Sequence, residues 1–366
     1  MVRVTRRPKA GAIAAFAAVA ALLAAVPLSG APAAASAHGT QVAMTAAGSG
    51  DGRQDAPASG SQASSSHAVA ASMSEQTTSA GLPRGTGKVL SFTLPYLADT
   101  VHDPNAQEVA QHAAGDAPLL LFLPATGEVP NNYREFLSTA VSAGFSVLGL
   151  DYWNIGKSVT RTCRADASCY TKLQENRYNG TDRSRFSRVG TANSILRRYG
   201  AAIAYLEQQD PAGAWGRFLI DHHPAWKRIV LAGHSQGGGE SAFLAHFHRV
   251  RGVLTYSSPV ETYNDVSASW MRTPGRTPPS RMYGFDDVHD VYYARITDSW
   301  ARLGMGVVDR SAATPVPTGS HVLLSSLDTG TPLEAHGHSV NDFGPRTAKG
   351  TMVFAPTWRW MLQQVR

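Results

Sequence analysis

Charge is scarce in this 366-residue chain: only 16% of its residues are Asp, Glu, Lys or Arg. The positive excess, +6 overall, gathers at the start, where Arg3, Arg6, Arg7 and Lys9 fall within 37 residues that hold no acid. Without those four the remainder carries +2, and no basic run lies elsewhere. A nearly neutral surface has no electrostatic footprint for a phosphate backbone, so nucleic-acid binding is excluded as the main function. Cysteine is nearly absent too: only Cys163 and Cys169 occur, six apart. That spacing is not C-x₂-C and no His lies nearby in sequence, which argues against a zinc site. Beyond the N-terminal stretch no hydrophobic run is long enough to cross a membrane. A hydrophobic fraction of 43% rules out wholesale disorder and allows a sizeable core.

What is present at the start has the layout of an export leader. The basic residues precede an apolar stretch from Ala10 to Pro27, and Ala35-Ser36-Ala37 offers a small-x-small cleavage site. Residues 1–37 are therefore expected to be a signal peptide, and the mature chain to begin near His38 and be secreted. The stretch has enough length to anchor in a bilayer, but alanine dominates it and adds little insertion energy, which favours cleavage. Outside the cytosol, Cys163 and Cys169 are expected to form one disulfide. Closing so short a loop contributes roughly 2.4 kcal/mol, enough to pin a surface loop but not to hold a fold. Residues 38–85 are rich in Ala, Ser, Gly, Gln and Thr and read as a disordered tether. Residues 86–366 remain for a single α/β domain.

Within that domain strands and helices alternate. The apolar run 119–123 predicts a strand buried on both faces. Tyr133, Phe136, Leu137, Ala140 and Val141 recur at helical spacing over 131–143, and Gly144 ends the pattern. A strand at 145–151, a long polar loop holding both cysteines and a helix near 191–208 follow. Further strands are expected at 228–232, 252–256, 281–285 and 321–326, with helices at 236–249 and 357–364. The Pro-, Ser- and Thr-rich stretch 259–280 reads as an excursion over one edge. Together these predict a mostly parallel central sheet with helices on both faces.

The sharpest signal is Gly233-His234-Ser235-Gln236-Gly237, followed by Gly238 and Gly239. It leaves a strand and opens a helix, the context that gives G-x-S-x-G its meaning. A serine nucleophile needs such a tight turn to lift its oxygen clear of the sheet, and the flanking glycines keep side chains from colliding there. The helix start then places the Gln236 N–H and a positive dipole where an oxyanion forms. A phosphate-binding turn is the competing reading, but the elbow glycines lead into no Lys-Ser/Thr. Ser235 is the expected nucleophile. A second oxyanion donor should come from the turn after an earlier strand, and Thr126 in Leu123-Pro-Ala-Thr-Gly127 is the candidate, through its N–H and its hydroxyl.

The acid and base should follow in the chain order Ser, Asp/Glu, His. The strand 281–285 runs into Asp286-Asp287-Val288-His289-Asp290, so three carboxylates compete. An acid a few residues past the strand end favours Asp290, then Asp287. Asp328, after the final strand, is an outsider, and at least two of these acids are expected to be solvated loop residues. The loop after the final strand offers His336 and His338, which periodicity cannot rank; His336 is taken as the base. His222, His223, His246 and His248 read as surface residues, and His234 as structural. Tyr152, Trp153, Trp215 and Trp270 are large enough to line an acyl pocket, but seven Trp in a chain of this size more often mean core and surface packing.

With these residues assembled, the sequence over 86–366 resembles the α/β-hydrolase superfamily, and more narrowly a group of secreted bacterial α/β hydrolases. Leu121-Phe-Leu-Pro-Ala-Thr-Gly with Tyr133, the segment from Gly144 to Asp151-Tyr-Trp-Asn154, and Gly-His-Ser-Gln-Gly-Gly carry the likeness. Members often have Gly where Ala125 stands. The resemblance implies an α/β-hydrolase fold, with the cysteine loop after the Asp-Tyr-x-Asn strand end, the acid after the next-to-last strand and the base after the last. The expected function is secreted ester hydrolysis by Ser235, His336 and Asp290, with Thr126 and Gln236 as oxyanion donors. The substrate class is a small-molecule or lipid ester, with neither metal nor organic cofactor required. Two alternatives share the fold: an extracellular acyltransferase or peptidase using the same residues, and a non-catalytic cell-surface binding protein.

Overall fold

Five consecutive apolar residues, Leu119–Leu123, form the strand on which the rest is laid. In the computed structural model this strand, β3, alternates between two cores: Leu119, Leu121 and Leu123 face one side of the sheet, Leu120 and Phe122 the other. The structure describes residues 87–94, 106–156, 158–181, 184, 186–187, 189–306 and 320–366. The expected signal peptide and tether, residues 1–85, lie outside them.

Eight strands make the central sheet: β1 (Leu90–Phe92), β2 (Glu108–Gln111), β3, β4 (Ser146–Gly149), β5 (Ile229–His234), β6 (Gly252–Tyr256), β7 (Met282–Asp287) and β8 (Val322–Ser325). Their order is β1-β2-β4-β3-β5-β6-β7-β8. Every pairing from β4 to β8 is parallel, while β1–β2 and β2–β4 are antiparallel. Because the parallel strands point one way, the turns after β3, β5, β7 and β8 all emerge on one edge. Thr126, Ser235, Gln236, Asp290 and His336 each belong to one of those turns or to the helix that follows it.

Helices cover both faces. Helices α1 (Arg134–Ser142) and α8 (Ala355–Val365) close one side, through Phe136, Leu137 and Ala140 against Trp358, Met361 and Leu362. The other side takes α2 (Val159–Cys163), α3 (Ala167–Asn179), α4 (Ile195–Gln209), α5 (Gln236–Phe247) and α6 (Tyr293–Arg302). A short helix, α7 (Pro332–His338), follows β8. Among the described residues no helix is long and apolar enough to cross a membrane.

The predicted elements of 119–151 and 228–256 appear within a few residues of their expected places. The polar loop expected to hold both cysteines is instead α2 and α3, with Cys163 and Cys169 joined as a disulfide. Helix α3 hides from a hydrophobic pattern because much of its buried face is polar, carrying Gln174, Asn176 and Arg177. Its ends were readable: the Asp166 side chain accepts from the Ser168 and Cys169 N–H groups, and Gly180 closes it with φ +81°. The edge strands β1 and β2 and the helices α6 and α7 were not anticipated.

The antiparallel edge is tied to α4 by a buried charge cluster. One Arg198 nitrogen, Nη2, donates to Glu108 Oε1 at 2.6 Å and Asp151 Oδ2 at 3.2 Å, and Nε donates to the Asp151 carbonyl at 2.7 Å. Glu108 also accepts the Asp151 N–H. Removing one member of a buried pair strands its partners' charge. Arg198→Ala is therefore expected to destabilise the protein by about 3–5 kcal/mol, measured by urea unfolding. Adding Glu108→Gln should recover part of that loss; an unchanged loss would mean that stranded charge is not its cause.

Candidate active site

At the end of β5 the chain reverses within one residue. Ser235 sits at φ +51° and ψ −115°, a region that a side chain enters only under constraint, at roughly 1–3 kcal/mol. Two features hold it there. The Ser235 N–H donates to the Tyr256 carbonyl at 2.9 Å, and the backbone packs too closely for side chains on either flank. A Cβ on Gly233 would run into the Gly237 backbone, and one on Gly237 into the Leu123 carbonyl. The G-x-S-x-G spacing is thus a packing requirement, met by placing α5 directly against β3.

Ser235, His336 and Asp290 are hydrogen-bonded in series. The Ser235 Oγ lies 2.8 Å from His336 Nε2, and His336 Nδ1 lies 2.7 Å from Asp290 Oδ2. Asp290 Oδ1 accepts the Tyr292 N–H at 2.6 Å. Burial pushes the Asp290 carboxyl upward, but the hydrogen bond and charge of His336 outweigh it and hold the group below its usual range. His336 lies on α7 and not on a loop. The helix starts at Thr331 with a reciprocal capping box to Glu334 and Pro332 in its first turn, a signal legible in Thr-Pro-Leu-Glu.

The competing residues stand elsewhere. His338 lines the same cavity but meets the Thr329 carbonyl at 3.1 Å. Asp328 is exposed and accepts the Gly330 N–H. Asp287 accepts from the His289 N–H and ring at 2.9 and 2.8 Å. The expectation that at least two acids would be solvated loop residues is corrected: Asp286 and Asp287 are the last residues of β7, and both are buried.

Thr126 and Gln236 come together at the mouth of the elbow. As the first residue of α5, Gln236 has an N–H with no partner inside the helix. Among the described residues no acceptor meets the Thr126 N–H. The Thr126 hydroxyl, expected as a further oxyanion donor, instead donates to Gln236 Oε1 at 3.0 Å. Gln236 Nε2 donates in turn to Tyr152 Oη at 3.2 Å, whose hydroxyl donates to the Pro124 carbonyl at 3.0 Å. The Gln236 side chain therefore laces the turn after β3 to the elbow, a role that no local sequence signal announces.

A second lace passes through His234. Its Nε2 lies 3.0 Å from the His336 carbonyl and its Nδ1 lies 2.9 Å from Tyr133 Oη, which also receives the Ala125 N–H at 3.3 Å. A carbonyl only accepts, so Nε2 carries the proton and Nδ1 accepts from Tyr133. The elbow histidine thus ties the turn after β3 to the backbone of His336. Burial, then the nearby His336, pushes its imidazole down to about 3, which keeps it neutral.

These residues open into a cavity of about 790 Å³, lined among others by Thr126, Arg161, Tyr292, Leu333, His338 and Phe343. Tyr152, Trp153, Trp215 and Trp270 do not line it. Among the described residues, no group of three or more His, Cys, Asp or Glu side chains is arranged to hold a metal ion. A serine elbow after β5, an acid after β7 and a histidine after β8, on a sheet in this order, decide the architecture. The fold is that of the α/β hydrolases.

No protein-family model matches the sequence, and no curated protein matches it. Solved structures that resemble the chain include carboxyl esterase 2 from the mycorrhizal fungus Tuber melanosporum. It is 14% identical, with 78% of this chain and 90% of that one covered and a TM-score of 0.39. A sugar hydrolase from Lactococcus lactis is 14% identical over 76% and 98% of the two chains, with a TM-score of 0.40. The esterase Pf2001 of Pyrococcus furiosus is 12% identical over 77% and 93%, with a TM-score of 0.36.

The neutral His234 makes a pH prediction. In the unfolded chain this imidazole binds a proton near pH 6.5, which the folded protein refuses until about pH 3. Its contribution to stability is therefore complete above about 6.5 and is lost as pH falls toward 3, at up to about 1.4 kcal/mol per pH unit. Urea midpoints at pH 7, 5 and 4 should fall more steeply for the wild type than for His234→Gln. Parallel curves would show that His234 is not the group responsible.

Proposed function

We propose that this protein is a secreted serine hydrolase that cleaves carboxylic esters. The observation that carries the reading is the series Ser235–His336–Asp290, hydrogen-bonded end to end at the mouth of a cavity. In this reading the Ser235 Oγ attacks the acyl carbon while His336 Nε2 takes the hydroxyl proton. Asp290 holds the imidazole by Nδ1 and stabilises its charged form. The N–H groups of Gln236 and Thr126 receive the oxyanion, supported by the dipole of α5. His336 then gives the proton to the leaving alcohol, leaving an acyl-enzyme. Water, deprotonated by His336, attacks that ester and restores Ser235. The neighbouring His234, held neutral, adds no positive charge to compete with the imidazolium.

The cavity mouth supports an apolar portion of the substrate. Leu333 and Phe343 both line it and remain 66% and 62% exposed, large apolar side chains with no cover of their own. Arg161, Glu128, Glu334 and His338 share the lining and add polar contacts at the same mouth. Secretion is supported by the layout of residues 1–37 and by the Cys163–Cys169 bond, which suits an oxidising compartment.

The test is hydrolysis of p-nitrophenyl esters from acetate to palmitate by residues 38–366. Ser235→Ala should lower kcat on the order of 10⁶-fold, and Asp290→Asn about 10⁴-fold. The wild type, and not Ser235→Ala, should be labelled by a fluorophosphonate probe. Full turnover in Ser235→Ala, or neither turnover nor labelling in the wild type, would sink the proposal. For the apolar mouth, Leu333→Ser with Phe343→Ser should raise KM for the longest ester hydrolysed far more than for acetate. Equal effects on both would remove the acyl chain from that rim.

A further inference from the structure

Asn154, just beyond the end of β4, enters none of these steps, yet it is buried and its hydrogen bonds go to a single turn. Strand β4 lies beside β3 and runs parallel to it, so the segment after β4 arrives next to the turn after β3. Asn154 Nδ2 donates to the Ala125 carbonyl at 2.6 Å and to the Glu128 carbonyl at 2.7 Å. The Asn154 carbonyl accepts the Gly127 N–H at 3.1 Å. A carbonyl only accepts, so the amide nitrogen and not its oxygen faces both. The two hydrogens of one amide thus span the two ends of residues 125–128.

Those four residues close a β-turn. The Glu128 N–H donates to the Ala125 carbonyl at 3.1 Å, and Gly127 takes φ +74°, the left-handed conformation that a type II turn requires at its third position. Every N–H of the turn but one then has an acceptor: Ala125 meets Tyr133 Oη at 3.3 Å, Gly127 the Asn154 carbonyl, and Glu128 the Ala125 carbonyl. The exception is Thr126 at the second position, whose N–H the bond that closes a β-turn does not use. Thr126 lines the cavity together with Ser235. A donor held in place and left unpaired is what a developing oxyanion needs, because nothing has to rearrange to receive it. Tyr133 and Gln236 each touch this turn at one point. Asn154 alone among the described residues holds the backbone carbonyls at both its ends.

We propose that Asn154 is a positioning residue for the second oxyanion donor. By clamping the carbonyls of Ala125 and Glu128 and taking the Gly127 N–H, it fixes the turn so that the Thr126 N–H stays unpaired and stationary for the developing charge. Asn154 does not line the cavity, and it acts through the backbone of the turn alone. No proton moves on it during the reaction. Its contribution is made when the ester carbonyl oxygen gains charge and not when the ester binds, so it belongs to kcat and not to KM.

The inference rests on the proposed reaction, and the test separates the two. Asn154→Ala should lower kcat about 10- to 100-fold with KM nearly unchanged, less than the loss when an oxyanion donor is deleted outright. Asn154→Asp has the same shape, but its carboxylate only accepts and would face two carbonyls, so it should be at least as slow as Asn154→Ala. It also carries the test where the alanine variant does not fold. A trifluoromethyl ketone becomes an oxyanion on Ser235, and its affinity should fall by the same factor as kcat/KM. The matching alcohol forms no oxyanion and should bind as before. Thr126→Pro deletes the N–H at a turn position that favours proline, and should lower kcat by about 10²- to 10³-fold. Adding Asn154→Ala to it should cost no more than about 3-fold further, because the two act on one donor. An undiminished kcat in Asn154→Ala or Asn154→Asp, an Asn154→Asp faster than Asn154→Ala, ketone and alcohol weakened alike, or multiplied losses in the double variant would each overturn the proposal. With an active wild type, those outcomes leave the Ser235–His336–Asp290 reading standing. A wild type with neither turnover nor fluorophosphonate labelling removes that reading and this one with it.

Discussion

The contact between the Gly237 backbone and the Leu123 carbonyl sets the spacing on which the site is built. A helix normally stands off a strand by the thickness of its side chains, and here Gly237, Gly238 and Gly239 of its first turn have none to interpose. Helix α5 can therefore begin one residue after β5 ends, at the expense of a strained backbone at Ser235. Three consequences follow from that approach. The Ser235 Oγ reaches His336 Nε2, the Thr126 hydroxyl reaches Gln236 Oε1, and the turn after β3 is held by Gln236 and Tyr133. A sheet order that brings β3 beside β5 is what makes the contact possible.

Around this contact polar groups are buried with their partners in definite order. The Tyr133–His234–His336 chain fixes the tautomer of the elbow histidine through one carbonyl and one hydroxyl. Behind α5, Glu240 pairs with Arg177 at 3.0 Å, and Glu261 accepts from Gln174 and Trp270 at 2.8 and 3.0 Å. Burial pushes Glu240 to about 7 and Glu261 to about 8. Such groups add little net stability over apolar packing. They do exclude other arrangements, since any shift of α5 against α3 would leave a buried charge or donor unmatched.

How much of this was legible follows from the kind of signal each part carries. Strand β3, helix α1 and the elbow announce themselves by apolar periodicity and by glycine spacing, which are local and short-ranged. The choice of Asp290 over Asp286 and Asp287 was argued from distance past the strand end, and the structure puts Asp290 on His336 and the other two inside β7. Sequence could not reveal that Asp286 would be buried against Ser257, because that depends on β6 converging on the end of β7 from afar. Likewise α3 failed the apolar test because Gln174, Asn176 and Arg177 are buried by partners on distant elements. Its caps, Asp166 and Gly180, are local and carry the helix's two ends in the sequence itself.

The misread cysteine segment also changes what the disulfide can do. A crosslink in a polar loop would pin only surface chain. Between α2 and α3 it instead joins a wall of the cavity to the back of the elbow. Helix α2 carries Arg161, which lines the cavity with Ser158 just before it, while α3 packs through Gln174 and Arg177 onto Glu261 and Glu240. Helix α2 has only five residues, too few to be stable alone, so its position depends on what it is tied to. The covalent tie to Cys169, at the well-capped start of α3, transfers to α2 the order that α3 gains from its buried polar face. The shape of that cavity wall therefore rests on the same polar network that fixes α5, and the Ser235 elbow and the cavity wall share one support.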